Sequence, residues 1–199
     1  YLKEASDDSL VDGIIFQNAK NSTETSFQIE QILAEKSFGV TMSMQSMNPD
    51  TLTAIKRINL PINDLSRLIS LSATYKIPSY TEMIIGLPNE TKDSWIKGLC
   101  DLLEVGQHES IEVWFAHLLE NSELSSNESR KQHGIKSIKY NDYFTFAEKN
   151  EYNTDKIFET IEVVTATNTM STNEMVEAYL FSWLIIQWHI VGYTQIISK

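Results

Sequence analysis

Apolar and polar residues along this chain follow two periods, and the two periods take turns. From Val40 to Gln45 the period is two: Val40, Met42 and Met44 share one face, and Thr41, Ser43 and Gln45 the other. Tyr80 to Ile85 repeats it, with Tyr80, Glu82 and Ile84 together. Ile111 to Leu118 is a further alternating run, and Gly13-Ile14-Ile15-Phe16-Gln17 reads as a short buried strand. Helical spacing fills the gaps. Asn21-Ser22-Thr23-Glu24 offers an N-cap for a helix to about Lys36, with Phe27, Ile29, Ile32 and Leu33 on its apolar side and Gly39 ending the unit. Asn48-Pro49-Asp50 opens a helix that carries Leu52, Ile55 and Ile58 to a break near Asn59-Leu60-Pro61. Another runs from about Asn63 to Tyr75, with Leu65, Leu68, Ile69 and Ser72 on one face. Thr91 or Asn89 caps the next, which carries Trp95, Leu99, Leu102 and Leu103 to Gly106.

Strand and helix thus alternate from residue 13 to 118, which predicts an α/β fold of βα units with a parallel sheet or barrel and right-handed crossovers. Residues 119–156 are looser and polar, with Tyr140, Tyr143, Phe144 and Phe146 interleaved. Ile157 to Val164 fits helix or strand, and its β-branched residues favour strand. Ser171-Thr172-Asn173-Glu174 has the spacing of a capping box. A long apolar helix to about residue 191 is expected after it. Its stretch Ala178 to Tyr193 has 16 residues without Lys, Arg, Asp or Glu. A membrane span needs about 20. The expectation is a helix packed inside the protein, closing the open side or bottom of the sheet and burying Trp183 and Trp188.

Composition narrows the classes. At 199 residues and 42% apolar, the chain has the length of one domain and enough apolar residues for a core. With 16 basic and 27 acidic residues, the net charge of −11 argues against nucleic acid and against an anionic membrane surface. The single cysteine, Cys100, excludes an internal disulfide framework and a self-contained thiolate metal site, and suits a reducing, cytoplasmic setting. Cys100 sits among Leu99, Leu102 and Leu103 and reads as an inert core thiol. The chain opens on Tyr1 with no signal-peptide pattern and reads as an internal or C-terminal piece of a longer product. None of His108, His117, His133 and His189 has a metal-ligand spacing. His117 is a candidate for the face of a cavity, His108 and His133 read as solvated, and His189 as a hydrogen-bonded core residue.

The candidate chemistry lies on the polar faces of the strands. Thr41, Ser43 and Gln45 on one strand and Glu82 on the next suit a face that holds a polar ligand. Arg57 follows Gln45 by 12 residues and precedes Glu82 by 25. In a parallel barrel an amide, a guanidinium and a carboxylate so placed converge at the C-terminal ends of the strands. There they suit hydroxyls and a ligand carboxylate. An edge strand with one solvated face, a surface arginine and a solvated glutamate is the competing reading.

Three segments carry a resemblance: Val40-Thr41-Met42-Ser43-Met44-Gln45-Ser46-Met47-Asn48-Pro49, then Ala54-Ile55-Lys56-Arg57, then Tyr80-Thr81-Glu82-Met83-Ile84-Ile85-Gly86-Leu87-Pro88-Asn89-Glu90-Thr91. In this order and spacing they resemble the radical S-adenosylmethionine (SAM) superfamily, in the subgroup with a cobalamin-binding domain. The resemblance runs on through Gly106-Gln107-His108, Asn121-Ser122-Glu123, Thr167 to Ser171 and Phe181-Ser182-Trp183. It implies the C-terminal part of a partial (β/α)6 TIM-type barrel in residues 1–120 and a mainly helical extension in 121–199. It also implies SAM, a [4Fe–4S] cluster and cobalamin as cofactors. By motif, Gln45 would bond the SAM ribose, Arg57 its carboxylate and Glu82 the ribose hydroxyls. Ser43 would share that face, and Gly86 would let the adenine approach closely.

The superfamily's Cys-x-x-x-Cys-x-x-Cys loop and the Asp-x-His-x-x-Gly cobalamin motif are absent. The ligands of both cofactors are therefore expected outside this chain, and the chain alone is expected to be inactive. For the parent, the implied activity is reductive cleavage of SAM, with an external electron donor for the cluster. The implied outcome is cobalamin-dependent methyl transfer or radical rearrangement on an unknown small molecule. A radical SAM methylthiotransferase acting on tRNA and a non-catalytic scaffold fragment are the alternatives.

Overall fold

The computed structural model describes residues 24–33, 39–141 and 160–193. The strand expected at Gly13–Gln17 and the cap at residues 21–23 lie outside them. The described chain runs α1 (Glu24–Leu33), β1 (Val40–Gln45), α2 (Pro49–Ala54), α3 (Ile62–Tyr75), β2 (Ser79–Ile85), α4 (Lys92–Glu104) and β3 (Ile111–Phe115). A single 3-10 turn at Glu123–Ser125 then leads into α5 (Asn127–His133), β4 (Lys136–Asn141), β5 (Thr160–Ala166) and α6 (Thr172–Leu184). The last helix continues as a π-helical turn, Ile185–Ile190.

β1, β2 and β3 form a parallel sheet in that order, with Ser43 opposite Glu82 and Glu82 opposite Glu112. Among the described residues this is an open three-stranded sheet, the α/β arrangement that the alternation predicts. β1 and β2 alternate residue by residue between burial and half-exposure. The buried set is Val40, Met42 and Met44 with Thr81, Met83 and Ile85, packed with Leu65 and Leu68 of α3 and Leu99 and Leu102 of α4. Burying such side chains stabilises by roughly 1.5–3 kcal/mol each. The opposite face carries Thr41, Ser43, Tyr80, Glu82 and Ile84, all half-buried.

Local chemistry sets the element ends. Asn48 caps α2, its side chain accepting from Asp50 N, and Pro49 occupies the first turn. Thr91, one of the two caps expected for α4, forms a reciprocal capping box with Ser94, and Ser171 and Glu174 form on α6 the capping box that the sequence predicts. Two expectations shift. The helix opened by Pro49 stops at Ala54 rather than reaching Ile58, because Lys56 turns left-handed at φ +55°. The third strand ends at Phe115 instead of Leu118, because the chain there changes partner: Val164 N donates to Ala116 O at 3.0 Å and Leu118 N to Glu162 O at 2.8 Å. These bonds stitch the antiparallel β4–β5 pair to the end of β3, and the strand reading of 157–164 holds from Thr160 on in β5, residues 157–159 lying outside the described residues.

The last helix packs otherwise than expected. Met175, Ala178 and Ser182 of α6 and His189 beyond it are buried, but Trp183 is 49% and Trp188 57% exposed. Two small residues set the buried strip. Ala178 and Ser182, one helical turn apart, let α6 approach α4 closely, and the wholly buried Trp95 donates its indole N–H to Ser182 Oγ at 2.8 Å. The large indoles of Trp183 and Trp188 do not join that contact. Cys100 is half-buried on α4. No helix among the described residues is long and apolar enough to cross a membrane.

Candidate functional site

The C-terminal end of β1 brings the predicted residues into one neighbourhood. The ladder between β1 and β2 slips between Ser43 and Gln45, and Gln45 takes a left-handed φ of +61°. Gln45 lines a cavity of about 850 Å³ with Arg57, Leu87, Asn89 and the stretch Thr53 to Ile58 on one side. On the other side stand Glu123, Leu124 and α5 residues Glu128, Ser129, Gln132 and His133. The volume is in the range of small-molecule sites.

Arg57 is held by three groups. Its Nη2 donates to the Ser43 carbonyl, its Nε donates to Asn59 Oδ1 at 3.1 Å, and Glu82 acts on it by charge. Burial lowers its pKa, and Glu82 pushes it back up. A guanidinium so placed stays protonated. Ser43 Oγ donates to Glu82 Oε2 at 2.5 Å, fixing one carboxylate oxygen of Glu82. Ser43 therefore touches both charged residues, one through its carbonyl and one through its hydroxyl. Glu82 does not line the cavity of Gln45 and Arg57; it lies on the half-buried sheet face beside it.

Gly86 ends β2 with φ +93°, a conformation suited to glycine. A Cβ there would meet Met175 Cε at 3.3 Å and Val164 Cβ at 3.4 Å. The space spared on that side is filled by α6 and β5, so what Gly86 can offer a ligand is its backbone. His117, a candidate for the face of a cavity, is exposed, pairs by backbone with Val163 and does not line this one. His133, expected to be solvated, is half-buried on the cavity wall. His108 is likewise half-buried, its Nδ1 2.9 Å from Nε2 of the buried His189.

Sequence spacing did not find the frame beneath these residues. Ser46, fully buried, donates its hydroxyl to the buried Glu90 carboxylate, which also accepts from Ser94. Asn59 Nδ2 donates to Ser46 O at 2.7 Å, and Thr169 Oγ1 donates to Glu90 O at 2.7 Å. The exits of β1 and β2 and the turn before α6 are thereby tied together. The available signal was chemical: short polar residues in the turns that follow strands, whose side chains bond to backbone.

The cavity at the C-terminal end of the parallel sheet is thus lined by a protonated guanidinium and an amide, and the hydrogen-bonded carboxylate of Glu82 lies on the sheet face beside it. Among the described residues no group of three or more His, Cys, Asp or Glu side chains is placed to hold a metal ion.

No family model matches the chain. It is 34% identical over 182 residues to the cobalamin-dependent radical SAM methyltransferase TokK of Streptomyces tokunonensis, covering 90% of this chain and 26% of TokK. It is also 34% identical over 182 residues to the 2-(S-pantetheinyl)-carbapenam-3-carboxylate methyltransferase of Streptantibioticus cattleyicolor, with the same coverage. The chain is similar to these two methyltransferases, the first of them cobalamin-dependent and radical SAM by name, and spans about a quarter of the length of each. Among solved structures, the radical SAM methyltransferase TsrM of Kitasatospora setae superposes with a TM-score of 0.41 at 16% identity, over 56% of this chain and 23% of that one.

Proposed function

We propose that this chain is the SAM-holding segment of a cobalamin-dependent radical SAM methyltransferase acting on a small molecule. The observation that carries the reading is the 34% identity over 90% of the chain to two methyltransferases, one of them named as radical SAM and cobalamin-dependent. The cavity geometry supports it. SAM presents a carboxylate and two ribose hydroxyls; Arg57 and Gln45 line the cavity, and Glu82 lies on the sheet face beside it. In this reading Arg57 binds the carboxylate, Gln45 reaches the ribose, and Glu82, steadied by Ser43, accepts from the ribose hydroxyls. Charge-assisted bonds of this kind contribute roughly 1.5–3 kcal/mol each. When bound, SAM supplies the methyl group and a reducible sulfonium.

The residues present do not fit the cluster. A [4Fe–4S] centre takes cysteine thiolates, and this chain has only Cys100, half-buried on α4. Nor does the chain carry the cobalamin motif. In this reading both sets of ligands, and the contact for an external electron donor, belong to other parts of the parent. So do the strands that would extend the open sheet into a partial (β/α)6 barrel. The division near residue 120 and a cytoplasmic setting complete the proposal. The tRNA methylthiotransferase alternative is disfavoured by the net charge of −11.

The test uses the full-length parent, reconstituted anaerobically with iron, sulfide and cobalamin and supplied with SAM and a low-potential reductant. Cleavage of SAM to 5′-deoxyadenosine or S-adenosylhomocysteine is the expected outcome. Arg57→Ala should weaken SAM binding about tenfold to a hundredfold. A parent that leaves SAM intact, with an Arg57→Ala variant of unchanged affinity, overturns the reading and leaves a scaffold role. The 199-residue chain alone should hold no cluster; about four irons per chain would contradict this.

A further inference from the structure

Arg57 lies in a stretch without regular structure. α2 ends at Ala54, Lys56 turns left-handed, and α3 starts at Ile62. A long flexible side chain on such a stretch needs an external hold to present its guanidinium in one orientation. Asn59, two residues on, supplies it. Its Oδ1 accepts from Arg57 Nε at 3.1 Å, and its Nδ2 donates to Ser46 O at 2.7 Å. Ser46 is a fixed point: it is fully buried, its hydroxyl is bonded to the buried Glu90, and Asn48 N donates to the same hydroxyl at 3.0 Å. The second hold is the Ser43 carbonyl on Nη2. Two bonds on two different nitrogens fix the plane of the guanidinium. Of its five N–H donors, about three are left for a ligand.

The amide is the side chain this place requires. It accepts and donates at once, which neither a carboxylate nor a hydrocarbon can do. It is also neutral, so it leaves the charge of Arg57 available to an anion. We propose that Asn59 is a positioning residue, which pre-orients Arg57 on the buried Ser46 so that the guanidinium meets a ligand carboxylate without further ordering. The inference rests on the reading of this cavity as the seat of the SAM carboxylate.

Two adenosyl probes separate positioning from general support. SAM carries the carboxylate; 5′-methylthioadenosine has the adenosine and sulfur without the amino-acid group. In the full-length parent, titration calorimetry of Asn59→Ala should show SAM binding weakened about three- to tenfold, from the loss of one net hydrogen bond's worth of orientation. Binding of 5′-methylthioadenosine should be unchanged. The Arg57→Ala/Asn59→Ala double variant should bind SAM no worse than Arg57→Ala alone, since Asn59 acts only through Arg57. Should Asn59→Ala fail to fold, Asn59→Asp serves. It keeps the shape and the acceptor, loses the donor to Ser46, and places a competing carboxylate on Arg57, so SAM binding should again fall while 5′-methylthioadenosine binding holds. Equal losses for both ligands, additive losses in the double variant, or wild-type affinity for SAM in both Asn59 variants would overturn the positioning role while Arg57→Ala still weakens SAM. An Arg57→Ala variant with unchanged SAM affinity instead defeats the reading of the cavity itself.

Discussion

Along β2 the side chains alternate at every step between burial and half-exposure, whereas α6 shows water Val176, Leu180, Trp183 and Leu184 beside a buried strip of Met175, Ala178 and Ser182. Both segments are rich in apolar residues. In β1 polar residues occupy every other place at Thr41, Ser43 and Gln45, and in β2 Glu82 falls on the matching phase, so only one phase can face the core. In the helix, apolar residues stand on all sides, and periodicity does not say which side turns inward. The choice falls to shape. Small Ala178 and Ser182 admit α4 and its Trp95. Apolar content says that a segment wants cover; the polar or small residues between decide which face receives it.

The largest expected effect tests that account on α4 and α6. Trp95, with no exposed surface, should cost about 3–5 kcal/mol as Trp95→Ala. Trp183→Ala and Trp188→Ala, half exposed, should each cost less than about 1 kcal/mol. Urea unfolding of the three variants decides the matter, and comparable losses for all three would contradict the placement of α6. Trp95→Phe sharpens it: an aromatic ring remains, but the bond to Ser182 and part of the buried indole volume are lost, which should cost about 1–3 kcal/mol, less than Trp95→Ala. A similar contrast holds across the sheet. Met83→Ala on the core face should destabilise by about 2–5 kcal/mol, and Ile84→Ala on the half-buried face by clearly less.

A third effect, of about 1–2 kcal/mol, concerns the stitch between α5 and the β4–β5 pair. Arg130 binds Glu162 through both nitrogens, Nη1 to Oε1 at 2.7 Å and Nη2 to Oε2 at 2.9 Å, and Ser137 donates to the same carboxylate. The Arg130 bonds, then the Ser137 bond, hold the Glu162 carboxyl down at about 2. A depressed carboxyl contributes stability that is fully present above its unfolded value near 4.5 and is lost as pH falls toward 2. Arg130→Ala should therefore lower stability at pH 7 and make little difference at pH 2. A penalty that stays constant across that window would show that Arg130 acts by packing alone.

Much of the fold was legible because its signals are local. The period-two runs placed β1 and β2, and Thr91 and Ser171 announced their helices through capping chemistry. The candidate residues were legible as types: Gln45 and Arg57 meet on one cavity, and Ser43 bonds Glu82. What the sequence hid depends on contacts between distant segments. Asn59, read as part of a helix break, acquires its place only when Ser46 comes to lie beside it. The end of β3 at Phe115 follows from β5, whose residues lie over 40 positions later. His117, a candidate by the alternation of β3, lies where the chain has already changed partners to β5 and does not line the cavity.

The smallest expected effect lies on the cavity wall, where Lys56 Nζ meets Glu123 Oε1 at 2.6 Å. This pair joins the stretch that carries Arg57 to the turn before α5, and both residues line the cavity. Both side chains are more than two-thirds exposed, at 71% and 73%. Water screens such a pair and two long side chains lose freedom to form it, so it should contribute less than about 1 kcal/mol. Lys56→Ala should shift the unfolding midpoint little, and 0.5 M salt should erase even that difference, since the screening length falls well below its value of about 10 Å at 0.1 M. The contrast with Arg130 and Glu162 is one of burial: the same charges count for more when protein replaces part of their water. A Lys56→Ala loss as large as that of Arg130→Ala, persisting in salt, would show the two walls of the cavity to be held together far more firmly than a solvated pair allows.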